Sequence, residues 1–158
     1  MSPPRSPGHA LKNNGNNMTG KPVNLVLDTN VFISAVFFSG IPYRILDAWR
    51  KGRVRLFVSR AILAECHETG ATLAKEFKGV DVAPWIALLE AHATLVEPES
   101  LPGQVCTDPD DDMFIACALA ARAHIICSGD KALLKTSGYR GIEVLKPREF
   151  ADRYLTQT

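Results

Sequence analysis

Carboxylates at the ends of apolar runs are the first feature of this chain that could do chemistry. Leu25-Val26-Leu27 leads into Asp28-Thr29-Asn30, and Ile125-Ile126-Cys127 leads into Ser128-Gly129-Asp130. Between them lie Glu65, at the margin of an amphipathic stripe, and the run Asp108-Pro109-Asp110-Asp111-Asp112, which stands directly before the apolar segment Met113 to Ala121. An uninterrupted apolar run reads as a strand buried on both faces, as in the middle of a parallel sheet. Ligands of open α/β sheets bind beyond the carboxyl ends of the strands, so Asp28 and Asp130 are expected at the mouth of a crevice. Capping alone would account for Asp28 or Asn30 taken singly, since both residue types are good helix N-caps. Aspartates at a helix N-terminus gain typically under about 1 kcal/mol each from the dipole, which explains one or two of the run but not all of it.

Convergence of Asp28, Glu65, Asp112 and Asp130 would be costly by itself. At about 4 Å and an effective dielectric near 20, each pair of charges repels by about 4 kcal/mol. Such a cluster must take up protons or hold a cation. An all-oxygen site without Cys or His suits Mg²⁺ or Mn²⁺ rather than zinc. Ions of that kind lower the pKa of a water and stabilise an in-line displacement at phosphorus.

The pattern of the rest of the chain provides elements to carry these acids. Helix is expected over 31–38, broken by Ser39-Gly40, and over 41–51, where Ile41, Ile45, Leu46 and Trp49 share a face. A second strand is expected over 54–58, with Ser59 placed to cap a helix over 60–77 that carries Glu65 and His67. A helix over 81–92, a short strand at 94–96, a buried helix over 113–121 and a strand at 124–127 follow. A short helix at 131–134, a strand at 142–145 and a helix over 147–155 complete the pattern. Strands alternating with helices predict right-handed crossovers and an α/β fold, a parallel sheet covered on both faces. No internal repeat is present.

The chain has 158 residues, one domain's worth, and a formal net charge of +1. That charge gives no general attraction to phosphate or membrane, so polyanion binding would need local clustering. Arg44, Arg50, Lys51, Arg53, Arg55 and Arg60, opposed only by Asp47, form such a stretch. Cys66, Cys106, Cys117 and Cys127 lack the close pairs of a zinc knuckle or dithiol site, which fits a reducing cytoplasm. No apolar stretch reaches bilayer length, and residues 1–21, rich in Pro, Gly, Asn and Ser, are expected to be a disordered arm before a domain at 22–155. Translation from Met18 instead of Met1 is an alternative.

Four segments carry a family resemblance: Leu27-Asp28-Thr29-Asn30-Val31-Phe32-Ile33-Ser34; Ile62-Leu63-Ala64-Glu65; Asp112-Met113-Phe114-Ile115-Ala116; and Ser128-Gly129-Asp130. In order and spacing they closely resemble the motifs of PIN-domain nucleases, nearest to the bacterial toxin components of toxin–antitoxin pairs. The resemblance implies a three-layer α/β/α sandwich and a Mg²⁺- or Mn²⁺-dependent endoribonuclease. It matches Asp28, Glu65, Asp112 and Asp130 to the family's acidic quartet, as metal ligands and catalytic groups, with Asn30 and Ser128 beside them. A metal-activated water would cleave the RNA phosphodiester, leaving 5′-phosphate and 3′-hydroxyl ends. Asp110-Asp111-Asp112 offers three candidates for one position; the register of Phe114, Ile115 and Ala116 favours Asp112, with Asp110 assisting or capping. The resemblance further implies a small antitoxin protein as partner; a homodimer is expected, and the lack of a bilayer-length apolar stretch predicts no membrane association. Phe37, Phe38 and Trp49 could line a groove for that partner, though such residues commonly belong to a core.

Other readings start from the same strand-end aspartate. A phosphatase of the haloacid-dehalogenase type would need a second aspartate where Asn30 stands, and a receiver domain would need paired acids after its first strand. A catalytically silent PIN scaffold has no reason to keep acids at all four motifs. His9, His67, His92 and His124 form no evident acid–base pair, against a metal-free ribonuclease; His67, close to Glu65, is expected at the surface or core edge.

Overall fold

Apolar strands and amphipathic helices alternate through the computed structural model, which describes residues 21–155. The arm expected at the N-terminus therefore falls outside the described residues, apart from Lys21. Strand β1 (Val23–Leu27) is followed by α1 (Thr29–Phe37) and α2 (Ile41–Arg50). Then come β2 (Val54–Val58), α3 (Arg60–Glu76), α4 (Ala83–His92) and β3 (Thr94–Leu95). A 3₁₀ turn at Pro109–Asp111 leads into α5 (Asp112–Ala121), β4 (Ile125–Cys127) and α6 (Lys131–Leu134). A second such turn, β5 (Glu143–Leu145) and α7 (Pro147–Tyr154) close the fold.

The elements begin and end for local reasons. Asp28 accepts the Asn30 N–H and starts α1 two residues before the periodicity alone predicts. Ser59 accepts the Ile62 N–H and caps α3, as expected. Gly40, at φ 118°, allows α1 and α2 to meet at 94°. The helix anticipated from Asp81 starts at Ala83, with the Asp81 carboxylate holding the Ala83 N–H.

All five strands are parallel, in the order β3-β2-β1-β4-β5. From β1 the chain steps outward through β2 to β3, then returns to β4 on the other side of β1 and continues to β5. Right-handed crossovers place helices of the outward leg and of the return leg on opposite faces, which gives the α/β/α layering. On one side, α5 packs across β1, β2 and β4. Phe32, Phe114, Phe150, Ile45, Ile62 and Ile126 are fully buried, so every layer contributes to the core. The direction of travel reverses between β1 and β4, and a crevice at their carboxyl ends is where this topology admits a ligand. Among the described residues no single helix is long and apolar enough to cross a membrane.

Candidate active site

Adjacency of β1 and β4 brings the two strand-end acids together. Leu27 pairs with Cys127, and the Asp28 N–H reaches the Cys127 carbonyl at 2.9 Å, extending the ladder to the edge of the sheet. Asp28 is 5% exposed. Its Oδ2 accepts a 2.6 Å hydrogen bond from Ser128 Oγ, which in turn accepts the Asp130 N–H at 2.9 Å. Ser128, fully buried and a hundred positions from Asp28 in sequence, thus links Asp28 to Asp130. Asp130 is exposed and caps α6 through the Leu133 N–H at 3.0 Å. Burial pushes the Asp28 carboxyl above its ordinary value; the Ser128 and Asn30 donors pull it back, and Asp130 pushes it up again.

A third carboxylate joins this pair, and it is Asp111. Burial, the charge of Asp130 and a contact close enough to share a proton with Asp130 push Asp111 up to about 7, with smaller contributions from Asp108 and Asp28. Asp112, the residue favoured by register, is engaged differently. Its Oδ1 accepts the Cys106 N–H at 2.7 Å and its Oδ2 the Val105 N–H at 3.0 Å, so it fastens the preceding loop to the start of α5. Burial works against its ionisation, but these backbone donors outweigh it and hold its pKa below the ordinary value. Asp110 is exposed, and its N–H is held by Asp108 Oδ1 at 2.9 Å. One signal in the sequence bears on Asp111: Asp108-Pro109 starts a 3₁₀ turn, in which side chains three apart eclipse. Nothing local in the sequence indicates that Asp112 would be occupied by residues 105 and 106.

Glu65 lies half-buried on α3 beside Cys66. The Cys66 thiol is pushed up to about 12 by burial; a hydrogen bond with Thr29 works the other way, and the charges of Glu65 and Asp28 add to the rise. Glu65 forms no ion pair among the described residues. His67 is exposed and meets Glu90 at 3.3 Å across α3 and α4, a surface role as anticipated. Of the groove candidates, Trp49 belongs to the core. Phe37, Phe38 and Phe77 form an edge-packed trio with centroids 5.7 to 6.4 Å apart, in which Phe38 is 52% and Phe77 39% exposed.

From Asp28 and Asp130 an open cleft of about 400 Å³ runs outward, lined also by Asn30, Val31, Ser34, Pro42, Gly129 and Pro147. Asn30 is exposed there, while its backbone is held by Asp28. No three His, Cys, Asp or Glu side chains among the described residues stand tightly enough to grip an ion as they are. The donor chemistry nonetheless fits a hard divalent cation. Asp111 and Asp130 crowd one another with no ion pair to either among the described residues, and a cation between them would remove the repulsion that pushes the Asp111 carboxyl up.

The chain matches the PIN domain family over residues 24–132, a span that reaches from β1 into α6 and contains Asp28, Glu65, Asp111, Asp112 and Asp130. It is also similar to an uncharacterized protein of Methanocaldococcus jannaschii, 29% identical over 145 residues, covering 84% of this chain and 92% of the archaeal protein. PIN domain nucleases typically use divalent metals. A parallel five-stranded sheet, acids gathered at its switch point and a match over most of the chain lead to one conclusion: this protein belongs to the PIN domain family, whose members are in general nucleases.

Proposed function

We propose that the protein is an endoribonuclease that requires Mg²⁺ or Mn²⁺ and hydrolyses RNA phosphodiesters at the crevice between β1 and β4. The observation that carries this reading is the hydrogen-bonded run Asp28–Ser128–Asp130 with Asp111 against its open end. Asp28, Asp111 and Asp130 are the residues that would hold the ion, and Glu65 on α3 is the fourth acid of the set. When bound, the ion supplies charge for the phosphate and a water acidic enough to attack near neutral pH. Ser128 orients Asp28 by donating to Oδ2 and fixes the Asp130 backbone, so both carboxylates keep their direction. Asn30, exposed in the first turn of α1, lines the cleft beside Asp28. Asp112 holds the loop that leads into α5 and so sets the position of Asp111.

Cleavage of structured and unstructured RNA with Mg²⁺, Mn²⁺ or EDTA tests the reading, comparing the parent with Asp28→Asn and Asp111→Asn. Activity should need the metal and fall at least a hundredfold in both variants, whereas equal activity under every condition would remove the nuclease assignment. On the same reading the chain is a cytoplasmic toxin, dimeric, and restrained by a small antitoxin protein. Four cysteines that are all free and buried fit a reducing compartment, and the exposed Phe38 and Phe77 fit a protein partner. Co-expression with the small protein encoded next to this gene should relieve growth inhibition and yield a co-purifying complex; failure of both would leave the nuclease without its toxin role.

A further inference from the structure

Two of the acids are each followed by a residue that turns into the core, and those two residues meet. Thr29 follows Asp28 and opens α1, while Cys66 follows Glu65 on α3. Each is 1% exposed. The Thr29 hydroxyl bears on the Cys66 thiol, and the charges of both Asp28 and Glu65 reach that thiol. Among the described residues, Thr29 Oγ1 is the one buried side-chain nitrogen or oxygen without a nitrogen or oxygen partner; the group it meets is sulfur, a weak acceptor. The buried seam of α3 is Ile62, Cys66 and Gly70, four residues apart, so Cys66 is its single side chain able to take part in a hydrogen bond. Cys66 also borders a small cavity whose other walls, Leu27, Phe32, Ile62 and Leu89 among them, are all apolar side chains. A buried hydroxyl without a good partner is costly, and valine would fill nearly the same shape without that cost. Folding alone therefore gives no reason for a hydroxyl at position 29.

We propose that Thr29 is a positioning residue: through the contact of its hydroxyl with the Cys66 thiol it fixes how closely α3 approaches α1, and so where Glu65 stands relative to Asp28. The proposal rests on the reading of these acids as an ion-binding set. No ion pair among the described residues holds Glu65, so its place follows from the packing of its helix, and that helix packs on α1. A hydroxyl oxygen approaches sulfur more closely than a methyl group can, by a few tenths of an ångström. Ligand distances at a metal centre tolerate a displacement of about 0.2 Å. A methyl group at the hydroxyl's position thus moves Glu65 by as much as such a site can absorb, or more, without opening a hole in the core.

Mn²⁺ affinity is measured from the electron paramagnetic resonance signal of the unbound ion, stability from thermal melts in EDTA, and kcat and KM from RNA cleavage. Thr29→Val, Thr29→Ser and Cys66→Ala are compared with the parent, and Thr29→Val is also combined with Glu65→Gln. Thr29→Val should bind Mn²⁺ about tenfold more weakly and lose about tenfold in kcat, with KM changed less than about twofold. Its Tm should stay within about 3 °C of the parent's, because the substitution removes the cost of a buried hydroxyl. Thr29→Ser keeps the hydroxyl and should keep the parental Mn²⁺ affinity, whereas Cys66→Ala should lose it as Thr29→Val does. Added to Glu65→Gln, Thr29→Val should change Mn²⁺ affinity less than about twofold, since both act through one side chain. Parental affinity in Thr29→Val and Cys66→Ala, an equal loss in Thr29→Ser, or full additivity with Glu65→Gln would overturn the link. A parent that binds Mn²⁺ but cuts no RNA would remove the nuclease reading and leave the link to stand or fall on the Mn²⁺ series; a parent that binds no Mn²⁺ would overturn both.

Discussion

Replacing Asp111 by asparagine tests the electrostatics of the site without any substrate. In the metal-free protein Asp111 is pushed from 3.8 to about 7 by burial and by Asp130. Because the folded pKa lies above the ordinary value, the folded chain keeps a proton that the unfolded chain releases. Stability conferred by that proton is full below about pH 4, is lost as the pH rises toward 7, and turns into a constant penalty above it. The full displacement corresponds to at most about 4 kcal/mol at 1.36 kcal/mol for each tenfold step, but Asp111 is partly exposed and solvent screening reduces this to about 1–2 kcal/mol. In EDTA at pH 8, Asp111→Asn should therefore raise Tm by about 3–6 °C, and at pH 4.5 it should be neutral. Mg²⁺ or Mn²⁺ should raise the parent's Tm at pH 8 and raise that of the variant much less. Thermal melts followed by circular dichroism, at both pH values with EDTA or metal, provide the readout. A variant less stable than the parent at pH 8 in EDTA, or equally shifted at both pH values, would refute the reasoning that Asp111 faces Asp130.

Other substitutions separate scaffolding from chemistry. Asp112→Ala removes the acceptor for two backbone N–H groups and should cost about 2–3 kcal/mol in urea unfolding, with Asp112→Asn costing less because one acceptor survives. Metal-induced stabilisation should survive in Asp112→Asn at a folded temperature and disappear in Asp111→Asn, which distinguishes fastener from ligand. Ser128→Ala leaves Asp28 Oδ2 without its donor in a buried position; RNA cleavage should drop about tenfold to a hundredfold, and stability by about 1–2 kcal/mol. A Cβ at Gly70 would lie 2.5 Å from Val82 Cγ1 where α3 passes the start of α4, so Gly70→Ala should lower stability by about 1–3 kcal/mol without changing RNA affinity.

Much of this protein was legible before any coordinates. Apolar runs that stop at Asp28 and at Ser128-Gly129-Asp130 announce strand ends, because a strand covered on both faces must be apolar throughout and the chain turns polar only where it leaves the sheet. Periodicity and capping located each helix within a residue or two, since Ser59 and the prolines at 84 and 147 act on their immediate neighbours. The pairing of β1 with β4 was not written locally. It arises because the return from β3 passes over β1, and it alone sets Ser128 against Asp28. The same holds for the aspartate run. Register with the apolar residues of α5 pointed to Asp112, but the loop at Val105 and Cys106 folds back and takes both its oxygens, leaving Asp111 to face Asp130. Sequence determined which residue types stand at strand ends and helix starts, because those preferences are satisfied within a few bonds of each residue. Which carboxylates share a site was decided by the tertiary structure, because that depends on which backbone donors reach each acid from distant parts of the chain.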